Sequence, residues 1–259
     1  MPPADPDLVR AAVDILREAG ELTLGYFRRA DLEIDDKADG TPVTAADRGA
    51  ERLIRERLAA VCPDDSVQGE EEATSTGTSG RTWTIDPIDG TKAFTHGVPL
   101  YSNLLALDDE HGPAIGVINI PALGETVWAG RGLGCFYNGE LTRVSERSEV
   151  RGSWMMTSGI GNWTPALLDA VHDAGVSVRT WGDGYGYVLV ATGRADAMLD
   201  PQAAVWDVAP MPVILAEAGG RFTATDGRAG ADHGSGLGTN GALHEALLEV
   251  VAPVAAVRP

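Results

Sequence analysis

Apolar residues near the N-terminus recur at Leu8, Ala12, Ile15, Ala19, Leu22 and Tyr26. Steps of four and three place them on one stripe, which predicts an amphipathic helix. A second helix is predicted from Thr44. Thr44 and Asp47 stand in N-cap and N3 positions ahead of Leu53, Ile54, Leu58 and Val61. The polar stretch 35–42 between the two is expected as a loop or short hairpin, and 72–81 as a flexible loop. A strand over 82–85 should lead into a turn and a short helix. Strands over 102–107, 114–120 and 125–129 follow, then a turn at 130–134. This half reads as α+β with meandering strands.

The second half alternates. Strands are predicted at 154–158, 176–181, 197–199 and 221–223. Helices are predicted from Thr164-Pro165 to about 174, over 184–192, from about Val205 to Gly219-Gly220, and from Asn240 to 250. Alternating strands and helices suggest α/β layers. We expect two lobes, 1–143 and 144–259, forming one catalytic unit.

Composition sharpens this. The hydrophobic fraction is 44%, enough for a substantial core in 259 residues. The net charge of -18 argues against nucleic acid or an anionic membrane as partner. Two cysteines, Cys62 and Cys135, form no CxxC pair, so neither a zinc site nor a disulfide framework is expected. The N-terminus has no basic region followed by an apolar run, and no apolar stretch approaches a membrane span. A cytoplasmic location is expected. Only two lysines occur, Lys37 and Lys92, and both fall inside the segments that carry the chemistry.

Those segments are acidic. Asp86 and Asp89 flank a proline-fixed bend, so both carboxylates can address one point. Gly90 and Thr91 then offer backbone N–H groups at a helix start, a natural phosphate seat. Two carboxylates and a carbonyl suit a hard cation such as Mg²⁺. Each piece also has a plainer reading. Asp-Pro-Ile-Asp-Gly-Thr can be a solvated turn, Gly69-Glu70-Glu71-Glu72 an acidic loop, Asp207 a helix-opening acid, and Asp47 a capping residue.

Taken together, the segments VTAAD (43–47), GEE (69–71), WTIDPIDGT (83–91) and WDVAPMPVILAEAGG (206–220) resemble the inositol monophosphatase family, within the superfamily that includes fructose bisphosphatase. The resemblance spans roughly 8–250. It implies a layered αβαβα sandwich, a homodimer, lithium sensitivity, and two or three Mg²⁺ ions, with Mn²⁺ as a substitute. It implies Glu70, Asp86 and the Ile88 carbonyl as ligands of one ion, and Asp86, Asp89 and Asp207 as ligands of another. A third, weaker ion would bind through Glu70 and water. Independently of the resemblance, loop 72–81 follows Glu70 and is expected to order when metal binds. Gly90 and Thr91 would bind phosphate, and Thr91 with Asp47 would orient the attacking water. Lys37 falls in the same catalytic group.

The segment Trp181-Gly-Asp183-Gly-Tyr185-Gly-Tyr187 looks like the histidinol-phosphate phosphatase branch. A carboxylate at Asp183 suits a cationic phosphate monoester, with Asp200 and Tyr185 as further substrate contacts. Asp183 can equally be a turn residue, and Tyr185 or Tyr187 helix packing. His96 reads as surface or substrate contact rather than a metal ligand. Two other readings stay open: an inositol-phosphate or sugar (bis)phosphate phosphatase, and an idle, metal-bound interaction protein.

Overall fold

The computed structural model describes residues 1–37 and 40–255. Helices α1 (Pro6–Leu24) and α2 (Ala45–Val61) come first. Asp5 caps α1 by accepting from the Asp7 N–H. The expected capping box of α2 is present: Thr44 Oγ1 accepts from Ala46 N, and Asp47 Oδ2 accepts from Thr44 N. Then follow α3 (Thr91–Thr95), α4 (Pro165–Asp173), α5 (Asp183–Ala191), α6 (Val205–Val208), α7 (Met211–Glu217) and α8 (His244–Val251).

A seven-stranded sheet runs in chain order: Ser66–Gly69, Thr82–Asp89, Ser102–Asp109, Gly112–Ile120, Glu125–Gly130, Gly134–Tyr137 and Glu140–Leu141. Only its first pair is parallel. A five-stranded mixed sheet has the order Ser177–Arg179, Trp154–Met156, Ala197–Asp200, Gly236–Thr239, Arg221–Thr223.

Three apolar cores set the layering. Leu16, Ile54 and Leu58 of α1 and α2 pack on Trp83, Ile85 and Val117 of the larger sheet. Val188, Ile214 and Leu215 of α5 and α7 join Ile118 and Val127 of that sheet to Met198 and Phe222 of the smaller one. Leu167 of α4 and Leu247 of α8 cover its far face against Leu199 and Leu237. The order is therefore helices, sheet, helices, sheet, helices: an αβαβα sandwich.

Several elements differ from expectation. Helix α1 stops before Tyr26, which packs instead beside Ile88, Phe94 and Tyr101. The helix expected from 205 to 219 is two helices, broken before Pro210, whose ring has no N–H to continue the ladder. Asn240 does not open the last helix. Its Oδ1 accepts from Leu243 N, and α8 begins at His244. The stretch 35–42 takes the hairpin form of its two expected readings, Ile34–Asp36 pairing with Pro42–Thr44, with residues 38 and 39 outside the described residues. Loop 72–81 is tied down: Ser75 exchanges two hydrogen bonds with Val67, and Thr78 and Ser79 donate to the Asp64 carbonyl.

Candidate functional site

The strand Thr82–Asp89 continues through the acidic motif instead of ending at 85. In a regular strand, residues three apart point to opposite faces. Here the pairing with Ser102–Asp109 slips register between Asp86 and Asp89, around Pro87. That bulge re-aims the strand, so both carboxylates reach one point. Asp207, in the first turn of α6, joins them. One oxygen from each of Asp86, Asp89 and Asp207 lies within 4.8 Å of the others.

The remaining oxygens explain why these side chains stay put. Asp89 Oδ2 accepts from Ser102 Oγ at 2.8 Å and from the Gly184 N–H at 2.5 Å. Asp207 Oδ2 accepts from the Ala204 N–H at 2.8 Å. Asp86 is 2% exposed, and its Oδ1 is buried with no hydrogen-bond partner. Buried polar atoms are otherwise almost always satisfied. A hard cation among these oxygens would satisfy it, so the donor set fits a divalent metal ion.

Burial pushes Asp86 and Asp89 well above the usual carboxylate range. Repulsion adds to this, from Glu70, Asp89 and Asp207 at Asp86, and from Asp183 and Asp207 at Asp89. Burial likewise pushes Asp207 up to about 7, against the pull of the Ala204 N–H. So many carboxylates crowded around one point call for a compensating cation.

Glu70 stands beside this cluster because of a residue that the sequence reading missed. Glu51 is fully buried and accepts from Glu71 N at 2.8 Å, Glu72 N at 3.1 Å and Arg55 Nε at 2.8 Å. The loop Gly69–Glu72 is thus folded around one carboxylate. The i, i+4 spacing of Glu51 and Arg55 was its only signal. Lys37 Nζ bridges Glu70 at 2.7 Å and Glu71 at 2.5 Å. Burial alone would lower the Lys37 ammonium, but these two carboxylates hold it above its ordinary range.

On the other side, Gly90 adopts a left-handed conformation (φ 80°) at the start of α3. Thr91 Oγ1 lies 3.0 Å from the Ile88 carbonyl and 3.4 Å from Asp47 Oδ1. Asp47 serves two partners at once: Oδ2 caps Thr44, and Oδ1 faces Thr91. Burial raises its carboxyl above the usual range.

Lys37, Glu70, Asp86, Asp89, Asp207 and Thr91 open on one cleft of about 780 Å³, which Lys92, Asp183 and Asp200 also line. Asp183 opens α5 at φ 54°, a left-handed conformation uncommon outside glycine. A methyl group built on Gly90 would come within 2.7 Å of Asp183 Oδ2, so this carboxylate stands against the expected phosphate seat. Burial raises Asp183, while Ser158 and the charge of Lys92 pull it back.

Asp200 is more enclosed than expected. It is 7% exposed, with Oδ1 accepting from Ser158 and Oδ2 from Tyr187. Tyr185 does not stand with Asp183. Residues two apart on a helix face nearly opposite ways, and Tyr185 lines a separate groove with Trp154 and Trp181. His96 is exposed, with Nδ1 2.8 Å from the Lys92 carbonyl.

The chain is similar to known proteins over nearly its whole length. A histidinol-phosphatase of Mycobacterium tuberculosis is 41% identical over 251 residues, covering 93% of this chain and 96% of that protein. A histidinol-phosphatase of Chlorobaculum parvum is 43% identical over 256 residues, covering 95% and 96%. The solved extragenic suppressor protein suhB of Bartonella henselae superposes with a TM-score of 0.88 at 26% identity, covering 95% of this chain and 98% of that one. The sequence profile described as the inositol monophosphatase family matches residues 5–256, so the bulged Asp-Pro-Ile-Asp strand and its partner Asp207 sit in a chain that belongs to that family.

Proposed function

We propose that this chain is a Mg²⁺-dependent phosphomonoesterase acting on the phosphate ester of a small cationic amino alcohol, L-histidinol phosphate. One observation carries the choice of substrate: the Asp183 carboxylate lies beside Gly90, in the cleft that holds Asp86, Asp89 and Asp207. A carboxylate there repels a second phosphate and pairs with an ammonium or imidazolium. The identity to two histidinol-phosphatases supports the same reading.

Glu70, Asp86 and the Ile88 carbonyl would hold one ion, and Asp86, Asp89 and Asp207 a second, with Mn²⁺ as a substitute. When bound, such ions neutralise phosphate oxygens and acidify a bound water. The protein's own groups do the rest. Backbone N–H groups of Gly90 and Thr91 seat the phosphate. Asp47 Oδ2 is spent on Thr44, so Oδ1 is left to accept from the Thr91 hydroxyl. The Thr91 oxygen is then turned to position the attacking water, and alignment of that water adds effective concentration. Lys37 holds Glu70 and Glu71 in place by pairing with both.

Phosphate release from L-histidinol phosphate, myo-inositol 1-phosphate, fructose 1,6-bisphosphate and an aryl phosphate, at saturating Mg²⁺, tests the substrate. A kcat/KM highest for histidinol phosphate is expected. A preference for the neutral polyol or sugar ester would reject it.

A further inference from the structure

The left-handed Asp183 is held in place by neighbours that have no role in the proposed chemistry. Its N–H donates to Ser158 Oγ at 3.0 Å. Ser158 Oγ in turn donates to Asp200 Oδ1 at 2.8 Å, and the Ser158 N–H reaches the same oxygen at 3.3 Å. Asp200 Oδ2 accepts from Tyr187 Oη at 3.1 Å. Tyr187 is 1% exposed, deep between α5 and the smaller sheet. The backbones also interlock, since a methyl group on Gly182 would come within 2.2 Å of Ser158 Cα. The next amide, Gly184 N–H, is taken by Asp89. Asp183 is thus pinned from both sides, and the Ser158 hydroxyl joins it to the interior.

We infer that Ser158 is a positioning residue for substrate selectivity: the chain Tyr187–Asp200–Ser158 fixes where the Asp183 carboxylate stands. This rests on the reading of Asp183 as the partner of a cationic substrate. A non-glycine residue at φ near +54° persists only when its surroundings hold it there. Without the Ser158 hydroxyl, the Asp183 N–H loses its acceptor and Asp200 loses a donor. The carboxylate is then free to leave the position that faces a substrate cation. The metal cluster keeps its own anchors at Ser102, Gly184 and Ala204.

The experiment compares Ser158→Ala, Tyr187→Phe and Asp183→Asn with the parent enzyme. It reads kcat and KM for L-histidinol phosphate and for myo-inositol 1-phosphate at saturating Mg²⁺. Ser158 is exposed at the cleft, so alanine there opens no core cavity. Ser158→Ala should raise KM for histidinol phosphate more than kcat falls, and lower the ratio of kcat/KM values roughly tenfold, the scale of one or two hydrogen bonds. Tyr187→Phe, which cannot touch substrate, should lower the ratio in the same direction by roughly threefold. Equal losses on both substrates in Ser158→Ala, or no change in the ratio, would overturn the inference. A shifted ratio in Ser158→Ala with none in Tyr187→Phe would make Ser158 a direct contact and overturn the relay. An unchanged ratio in Asp183→Asn would refute the cation-reading role itself. A shift there with none in Ser158→Ala would refute the positioning role alone.

Discussion

The backbone N–H of Gly184 donates to Asp89 Oδ2 at 2.5 Å, joining the first turn of α5 to the bulged strand of the larger sheet. The acidic cluster and the substrate side of the cleft therefore share a bond. Whatever holds Asp89 for a cation also holds the residue next to Asp183.

Asp86 lies at the centre of the cluster, and its Oδ1 has no protein partner. Asp86→Asn should cut Mg²⁺-dependent turnover by more than roughly a hundredfold, beyond the usual cost of losing an outer contact to a metal ligand. Without metal, the variant should melt no lower than the parent, because a crowded buried carboxylate has been neutralised. Mg²⁺ should raise the melting temperature of the parent and not of the variant. Thermal unfolding with and without Mg²⁺ checks both statements, and normal activity in the variant would refute the ligand assignment.

Glu51 is fully buried and organises the loop that carries Glu70. Glu51→Ala should cost about 3 kcal/mol, since it removes the buried partner of the Arg55 Nε and leaves two loop amides without their acceptor. The variant should also need more Mg²⁺ for half-maximal activity. Urea unfolding and a Mg²⁺ titration read the two effects separately. Loss of stability with an unchanged Mg²⁺ requirement would remove Glu51 from the account of the site.

His244 is enclosed between Thr223 Oγ1 at 3.1 Å and Thr239 Oγ1 at 3.0 Å. Burial, helped by Arg221, lowers its pKa from 6.5 to about 4, while Glu245 opposes the shift. Between these values the unfolded chain binds the proton more readily than the folded one. This residue's contribution to stability is therefore present at neutral pH and lost as pH falls from about 6.5 towards 4. In His244→Gln the loss of stability between pH 7 and pH 4.5 should be smaller by about 2 kcal/mol. Denaturant unfolding at the two pH values gives the comparison, and identical pH dependence would refute it.

Gly238 marks a packing constraint rather than a turn. A methyl group there would lie 2.7 Å from Leu215 Cδ1 and 2.9 Å from Tyr187 Cε1. Gly238→Ala should therefore cost about 1–3 kcal/mol through overpacking. Chemical denaturation of the variant measures this, and an unchanged midpoint would contradict it.

What was legible in the sequence follows from where the information sits. The stripe of α1 and the capping box of α2 are local patterns, and both were readable. The motif Asp-Pro-Ile-Asp-Gly-Thr was readable as chemistry, but the register slip that turns both carboxylates to one side depends on the neighbouring strand. The strand Gly236–Thr239 was missed because two glycines in four residues suppress strand propensity. Those glycines are there to admit Tyr187. Ser66–Gly69 was missed because its pattern is short and mixed. Glu51 and Ser158 had no motif to announce them, since their importance comes from partners 20 to 42 residues away in the chain. The split before Pro210 has a local signal of its own, since a proline within a helical pattern is a stop signal.

The most direct measurement is phosphate release from L-histidinol phosphate by the protein stripped with a chelator, then supplied with increasing Mg²⁺. The account predicts negligible release from the stripped protein, full recovery on adding Mg²⁺, and no recovery in Asp86→Asn. Release that persists without a divalent ion, or that never appears with one, would contradict it.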